Sequence, residues 1–226
     1  MSSSLDAIVA ARKRAEMVAR MRTLARAGSP GRPDGPSAPA AERCDICNTT
    51  LPDDHRHMLH LVDRRIICTC EACWALYSGN AEYRPTGMRT VWLDEFQCSQ
   101  ETWAAFQIPI GLAFFMRSTV TESVVAFYPS PAGATESELT LEAWEALVAA
   151  NPALEQLESD AEALVVNRMS DPAQYAIVPI DQCYGLVGLI KSRWEGISGG
   201  SAIEEAVPEF FATLRSRATA ASEALR

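Results

Sequence analysis

The chain has 226 residues, 48% of them apolar and 22% charged, which is enough apolar material for a buried core. Its net charge of −9 is uneven: residues 1–40 carry +4 and the remainder −13. A body that acidic lacks the basic face that phosphate neutralisation requires, so nucleic acid is excluded as its general partner.

Residues 5–26 read as a basic amphipathic helix, with Leu5, Ile8, Val9, Met17, Met21 and Leu24 near helical spacing. Gly28 to Pro36 is rich in Gly and Pro and has no periodicity, so residues 27–41 are expected to be a linker and 1–26 a solvated tail or a docking helix. Nothing near the start resembles a secretory leader, and no run of about eighteen apolar residues occurs to span a membrane. Cysteine usage of the kind described next suits a reducing compartment, and a cytoplasmic protein is expected.

Residues 42–80 carry the main signal. Five of the seven cysteines fall within thirty residues as Cys44-x-x-Cys47 and Cys68-x-Cys70-x-x-Cys73, with all three histidines, His55, His57 and His60, between the two groups. A two-residue gap turns two thiolates toward one ion, and the intervening loop returns the chain to supply a second pair. Cys44, Cys47, Cys70 and Cys73 keep both gaps and are the expected ligands. Cys68 is then a spare thiol or an outer neighbour. His57 either replaces a thiolate or, the favoured reading, hydrogen-bonds nearby, and His55 and His60 are structural or solvent-facing. A second ion on the histidines is a further alternative.

Asn48 follows Cys47 where a tight turn asks for left-handed φ, which Asn tolerates. His55–Val62 and Arg65–Cys70 alternate about Asp63-Arg64 and predict a β-hairpin with that pair at its tip. Val62 would then face Arg65, and His57 would face Cys70. Period two places His57, Cys68 and Cys70 on one face, with His60 and Ile67 on the other. A helix is predicted to start near Trp74. Knuckle, hairpin and helix describe a treble-clef-like or zinc-ribbon module.

Residues 81–226 are expected to form the body. Gly79–Pro109 is irregular and aromatic-rich, and is expected to pack the module on that body. Ile108–Met116 and Ser123–Tyr128 predict a strand pair stopped by a loop over Pro129–Thr135. Thr140 is placed to cap a helix over 141–150. Ala163–Met169 and Tyr175–Ile180 predict two more strands, and Asp181 a capped helix with Tyr184, Val187, Leu189, Ile190 and Trp194 inward. Gly199-Gly200 precedes a last helix over 202–217. The fold class is therefore α+β, with a metal module packed on an antiparallel-sheet body.

A closed four-cysteine site staples a fold and has no open position for catalysis. Zinc is favoured over iron because rubredoxins use two Cys-x-x-Cys-Gly knuckles, whereas here the followers are Asn48 and Trp74. A His-Asn-His nuclease is disfavoured by the acidic body and by the absence of the downstream helix residues. Cys98 and Cys183 lie outside the module, and with every histidine inside it neither has a base for nucleophilic work. Cys183 is expected in the core. No phosphate loop, nucleophile elbow or dinucleotide fingerprint appears.

Cys44-Asp45-Ile46-Cys47, His55-Arg56-His57 and Cys68-Thr69-Cys70-Glu71-Ala72-Cys73 resemble an uncharacterised, largely actinobacterial protein family, as do Ile108–Phe115, Tyr128–Glu138 and Val178–Gly188. The resemblance covers roughly residues 42–217. Its genes often neighbour [NiFe]-hydrogenase operons. That implies a non-enzymatic accessory protein, bound to a redox enzyme or its maturation machinery. A rubredoxin-like iron electron carrier is the alternative.

Overall fold

The computed structural model describes residues 41–137, 139–194 and 201–220, without the side chains of residues 201, 202 and 220. The expected helix over 5–26, most of the linker and the Gly199-Gly200 break lie outside the described residues. The chain from Ala41 onward is a single compact unit. Its elements in order are β1 (Arg56–His60), β2 (Arg65–Thr69), α1 (Glu71–Tyr77), β3 (Tyr83–Pro85), β4 (Val91–Trp92), α2 (Gln100–Ala105), β5 (Leu112–Ser118), β6 (Ser123–Ser130), β7 (Gly133–Ser137), α3 (Leu141–Ala150), β8 (Glu162–Asn167), β9 (Gln174–Pro179), α4 (Ile180–Arg193), α5 (Ser201–Arg217) and β10 (Thr219–Ala220). Among the described residues no helix is long and apolar enough to cross a membrane.

A seven-stranded sheet in the order β10-β4-β9-β8-β5-β6-β7 forms the body, antiparallel except where β10 meets β4. Both faces are covered, which explains why its central strands read as unbroken apolar runs. Leu112, Phe114, Met116, Val165 and Val178 point to one face, against Cys183, Leu186, Val187 and Ile190 of α4 and Phe211 and Leu214 of α5. Their neighbours Ala113, Phe115, Leu164, Val166 and Ile177 point to the other, against Trp103 and Phe106 beside α2 and Trp144 and Leu147 of α3. The α+β class and antiparallel sheet therefore hold, and Cys183 is fully buried as expected.

Four local expectations change. The hairpin turns through the four residues Leu61–Arg64, so His60 pairs with Arg65 and His57 with Cys68, two residues out of the expected register. The shift is even, so each side chain keeps its face. Leu61 opens the turn with its side chain buried in the body core, and Arg64 lies in the turn at φ 48°. The segment expected to be a loop over Pro129–Thr135 is a tight hairpin whose second strand is β7, with Gly133 at φ 122° starting it. Thr140 stands at the N-cap of α3 without a side-chain cap bond, and α4 begins one residue before Asp181.

The segment after α1 ties the two sheets together. β3 pairs with β1, in a three-stranded sheet ordered β2-β1-β3. Four residues further on, Arg89 grips Glu162 with Nε to Oε1 at 2.7 Å and Nη2 to Oε2 at 3.0 Å. The Glu162 side chain is only 2% exposed. Removing the guanidinium leaves a buried carboxylate unpaired, so Arg89→Met is expected to lower stability by about 3 kcal/mol. Phe115→Ala, at the centre of the α2–α3 face, is expected to cost about 3–5 kcal/mol. Urea unfolding checks both, and an unchanged midpoint in either would contradict this packing.

Candidate metal centre

The first cysteine pair sits on a backbone loop that the sequence builds almost alone. Cys44 N–H donates to the Thr49 carbonyl and Asn48 N–H to that of Cys44, both at 2.8 Å, and Arg43 bridges to Thr50. Asn48 takes φ 64°, the left-handed turn its position predicts. The loop is then clipped to β2 by one residue: Asp45 N–H donates to the Cys68 carbonyl at 2.9 Å, and its carboxylate accepts the Cys68 N–H at 2.8 Å.

The second pair comes from the start of α1. Cys70 is the extended N-cap residue, its sulfur accepting from the Cys73 N–H at 3.5 Å. One helical turn brings Cys73 back over the same side. Arg56 of β1 lies over the Trp74 ring at 4.3 Å and donates to Glu71 at 2.9 Å, holding the helix to the hairpin.

The four sulfurs of Cys44, Cys47, Cys70 and Cys73 all lie within 4.8 Å of one another. Cys47 and Cys70 Sγ are 3.6 Å apart, close to the edge of about 3.8 Å that a tetrahedron with metal–sulfur bonds of about 2.3 Å requires. The donor set therefore fits a metal ion with a taste for thiolate. Cys44 and Cys73 are buried while Cys47 is exposed, so one edge of the cluster faces solvent.

Local donors favour the anionic form of the first pair. The Thr49 hydroxyl and N–H, then Cys44 and Cys73, hold the Cys47 thiol down to about 6. Burial pushes Cys44 up, but backbone N–H groups of Cys47, Cys70 and Ile46 outweigh it and bring the thiol below its ordinary value. For Cys73, burial dominates and pushes the thiol up.

Cys68 stays outside this cluster, packed against it, and burial pushes its thiol up to about 11. His57 also stays outside and hydrogen-bonds elsewhere: its Nδ1 lies 2.9 Å from Asp181 Oδ2 on α4, and this bond raises the imidazole above its ordinary value against the effect of burial. His60 accepts the Asp63 N–H at 3.2 Å and meets Tyr83 edge to face. Cys98 remains half-buried near Arg168, far in sequence from any histidine. Two features escaped the sequence reading: Asp45 as a clip, and Asp181 as the partner of His57 across 124 residues. Asp45 falls between two ligand candidates and could have been suspected, whereas nothing in the sequence links Asp181 to the hairpin.

The hairpin is also joined to the body. Leu59 and Leu61 enter the α4–α5 face of the core, the Tyr184 hydroxyl donates to the Arg64 carbonyl at 2.5 Å, and Arg64 pairs with Glu136 at 2.6 Å.

No curated protein and no solved structure matches the chain. A family of unknown function, DUF5947, matches it over residues 43–218, a span that takes in all five clustered cysteines, the three histidines and every strand of the seven-stranded sheet except β10, and the chain belongs to that family.

Proposed function

We propose that the protein is a metal-stapled accessory protein, in which Cys44, Cys47, Cys70 and Cys73 hold one structural Zn²⁺ in a treble-clef-like module. The observation that carries this reading is the convergence of four thiols, from two separate elements, at tetrahedral spacing. Beyond the Asp45 clip and the Arg56 contacts, little apolar packing holds those elements together. The buried core around the knuckle consists of Cys44, Leu51 and Cys73, with Ile46, Cys68, Cys70 and Tyr77 at its margin. With so small an apolar cluster, coordination free energy supplies much of the folding free energy of this segment. Four protein thiolates complete the shell of the ion, leaving no position for a substrate.

The partner class follows from the family resemblance read in the sequence, which implies a redox enzyme such as a [NiFe] hydrogenase or its maturation machinery. Val62 at the hairpin tip and Leu76 on α1 are 72% and 77% exposed, apolar side chains of the module available to such a contact.

One observation favours a second reading. Cys47 places an edge of the cage in solvent, as electron exchange with a partner through an iron centre would require. The second pair opens a helix instead of forming a second knuckle, which favours zinc. Colour separates the two. Protein purified without chelators or affinity metals is expected to be colourless and to contain zinc, whereas a red protein with a bleachable visible spectrum would establish the iron carrier.

The ligand set is tested by substitution. Cys47→Ser and Cys70→Ser are each expected to release one ion relative to wild type and to open the knuckle over 44–51 and the α1 segment to proteolysis, while the hairpin between them stays anchored in the body core through Leu59 and Leu61. Cys183→Ser should leave metal content unchanged. Unaltered metal in both cage variants would contradict the assignment.

A further inference from the structure

Beside the four-thiol cluster lies a second set of donors with a different chemistry. We propose that His55, His57 and Cys68 form a second cation site, for a borderline divalent ion of the zinc type, distinct from the cluster of Cys44, Cys47, Cys70 and Cys73. One ring nitrogen of each histidine and the Cys68 sulfur lie within 4.8 Å of one another. The hairpin brings them together. His57 and Cys68 are register partners, and His55, two residues before His57, falls on the same face. The two rings meet edge to face with centroids 4.7 Å apart.

In each ring one nitrogen is engaged and the other is left to offer. His55 Nδ1 lies 2.9 Å from the Pro52 carbonyl oxygen, which can only accept, so in the neutral ring the proton sits on Nδ1 and Nε2 carries the lone pair. The His55 side chain is 5% exposed, and its Nε2 is buried without a hydrogen-bond partner. A buried lone pair left unused is costly, and a cation would use it. In His57, Nδ1 is engaged by Asp181 Oδ2 at 2.9 Å, which again leaves Nε2 to offer. A carboxylate behind an imidazole, fixing its tautomer and raising its basicity, is the usual support of a metal-bound histidine.

The fourth position has a candidate as well. Glu42 Oε2 stands 3.4 Å from His55 Nε2. That separation is long for a hydrogen bond, but it matches the edge of about 3.4 Å between nitrogen and oxygen in a tetrahedral zinc site with bonds of about 2.0–2.2 Å. Glu42 is largely exposed, so its carboxylate would close the site from the solvent side and exchange readily with water. Three fixed protein ligands with an exchangeable fourth differ in kind from the closed four-thiol cage.

The test uses the full chain, stripped of metal under reducing conditions and titrated with Co²⁺ and then Zn²⁺, with bound ions counted after desalting and folding followed by circular dichroism. Wild type is expected to bind two ions per chain and His57→Ala one, with the intense sulfur-to-cobalt absorption of the four-thiol cage retained. Asp181→Asn acts through the ring it positions and is expected to weaken the second ion about 10–100-fold. Glu42→Gln, at an exposed position where folding is not at stake, should weaken the second ion and leave the first unchanged. Cys47→Ser separates this proposal from the structural-zinc reading. It should remove the cage ion only, whereas uptake lost in His57→Ala but unchanged in Cys47→Ser would overturn the cage and keep the second site. A wild-type chain that takes up a single ion, as an imidazolium at His55 bonded to Glu42 would dictate, overturns the second site. So does a His57→Ala chain that binds as many ions as wild type.

Discussion

The structure around residues 42–80 depends on bringing four sulfur atoms together without the help of a large apolar core. Thiols gain little by meeting, and as thiolates they repel one another. Backbone geometry must therefore do the positioning, and in the proposed function a cation supplies the attraction. The positioning is visible residue by residue. Asn48 turns the knuckle in left-handed φ, Asp45 fastens it to β2 through both its N–H and its carboxylate, and Cys70 occupies the N-cap so that Cys73 returns one turn later. Each device is local and small, and their products meet at one point.

The body follows the opposite logic. Its sheet buries apolar side chains on both faces, packing in which no cysteine of the cluster takes part. The two regimes meet along the hairpin. Leu59 and Leu61 belong to the body core, while Cys68 on the paired strand belongs to the margin of the sulfur cluster. His57 faces both ways, opposite Cys68 in register and bonded to Asp181 of α4. A change in coordination near Cys68 would therefore be felt first by α4, through His57 and through Tyr184 on the Arg64 carbonyl.

Much of this was legible in the sequence because the informative signals were local. Two-residue cysteine gaps, an Asn in a turn position and the apolar pattern of 141–150 each report on their own neighbourhood, and the knuckle, the hairpin and α3 followed from them. The misreadings share a cause. The alternating pattern runs on through Leu61 and Val62, so it does not show that the strand ends at His60. β7 was hidden because Gly133–Ser137 is short, polar and at the sheet edge, where turn residues and strand residues look alike. Asp181 looked like a cap because the start of a helix suits Asp. Its actual partner comes from the hairpin, through tertiary packing that no spacing encodes.

Amide hydrogen exchange, with and without a strong chelator, tests most directly whether coordination holds the module while packing holds the body. On removal of metal, protection over the knuckle (44–51) and α1 (71–77) is predicted to fall to that of an open segment, while β5, β8 and β9 exchange as before. Equal protection of these two segments in both states would contradict the account, because the knuckle and helix would then be held by something other than the ion.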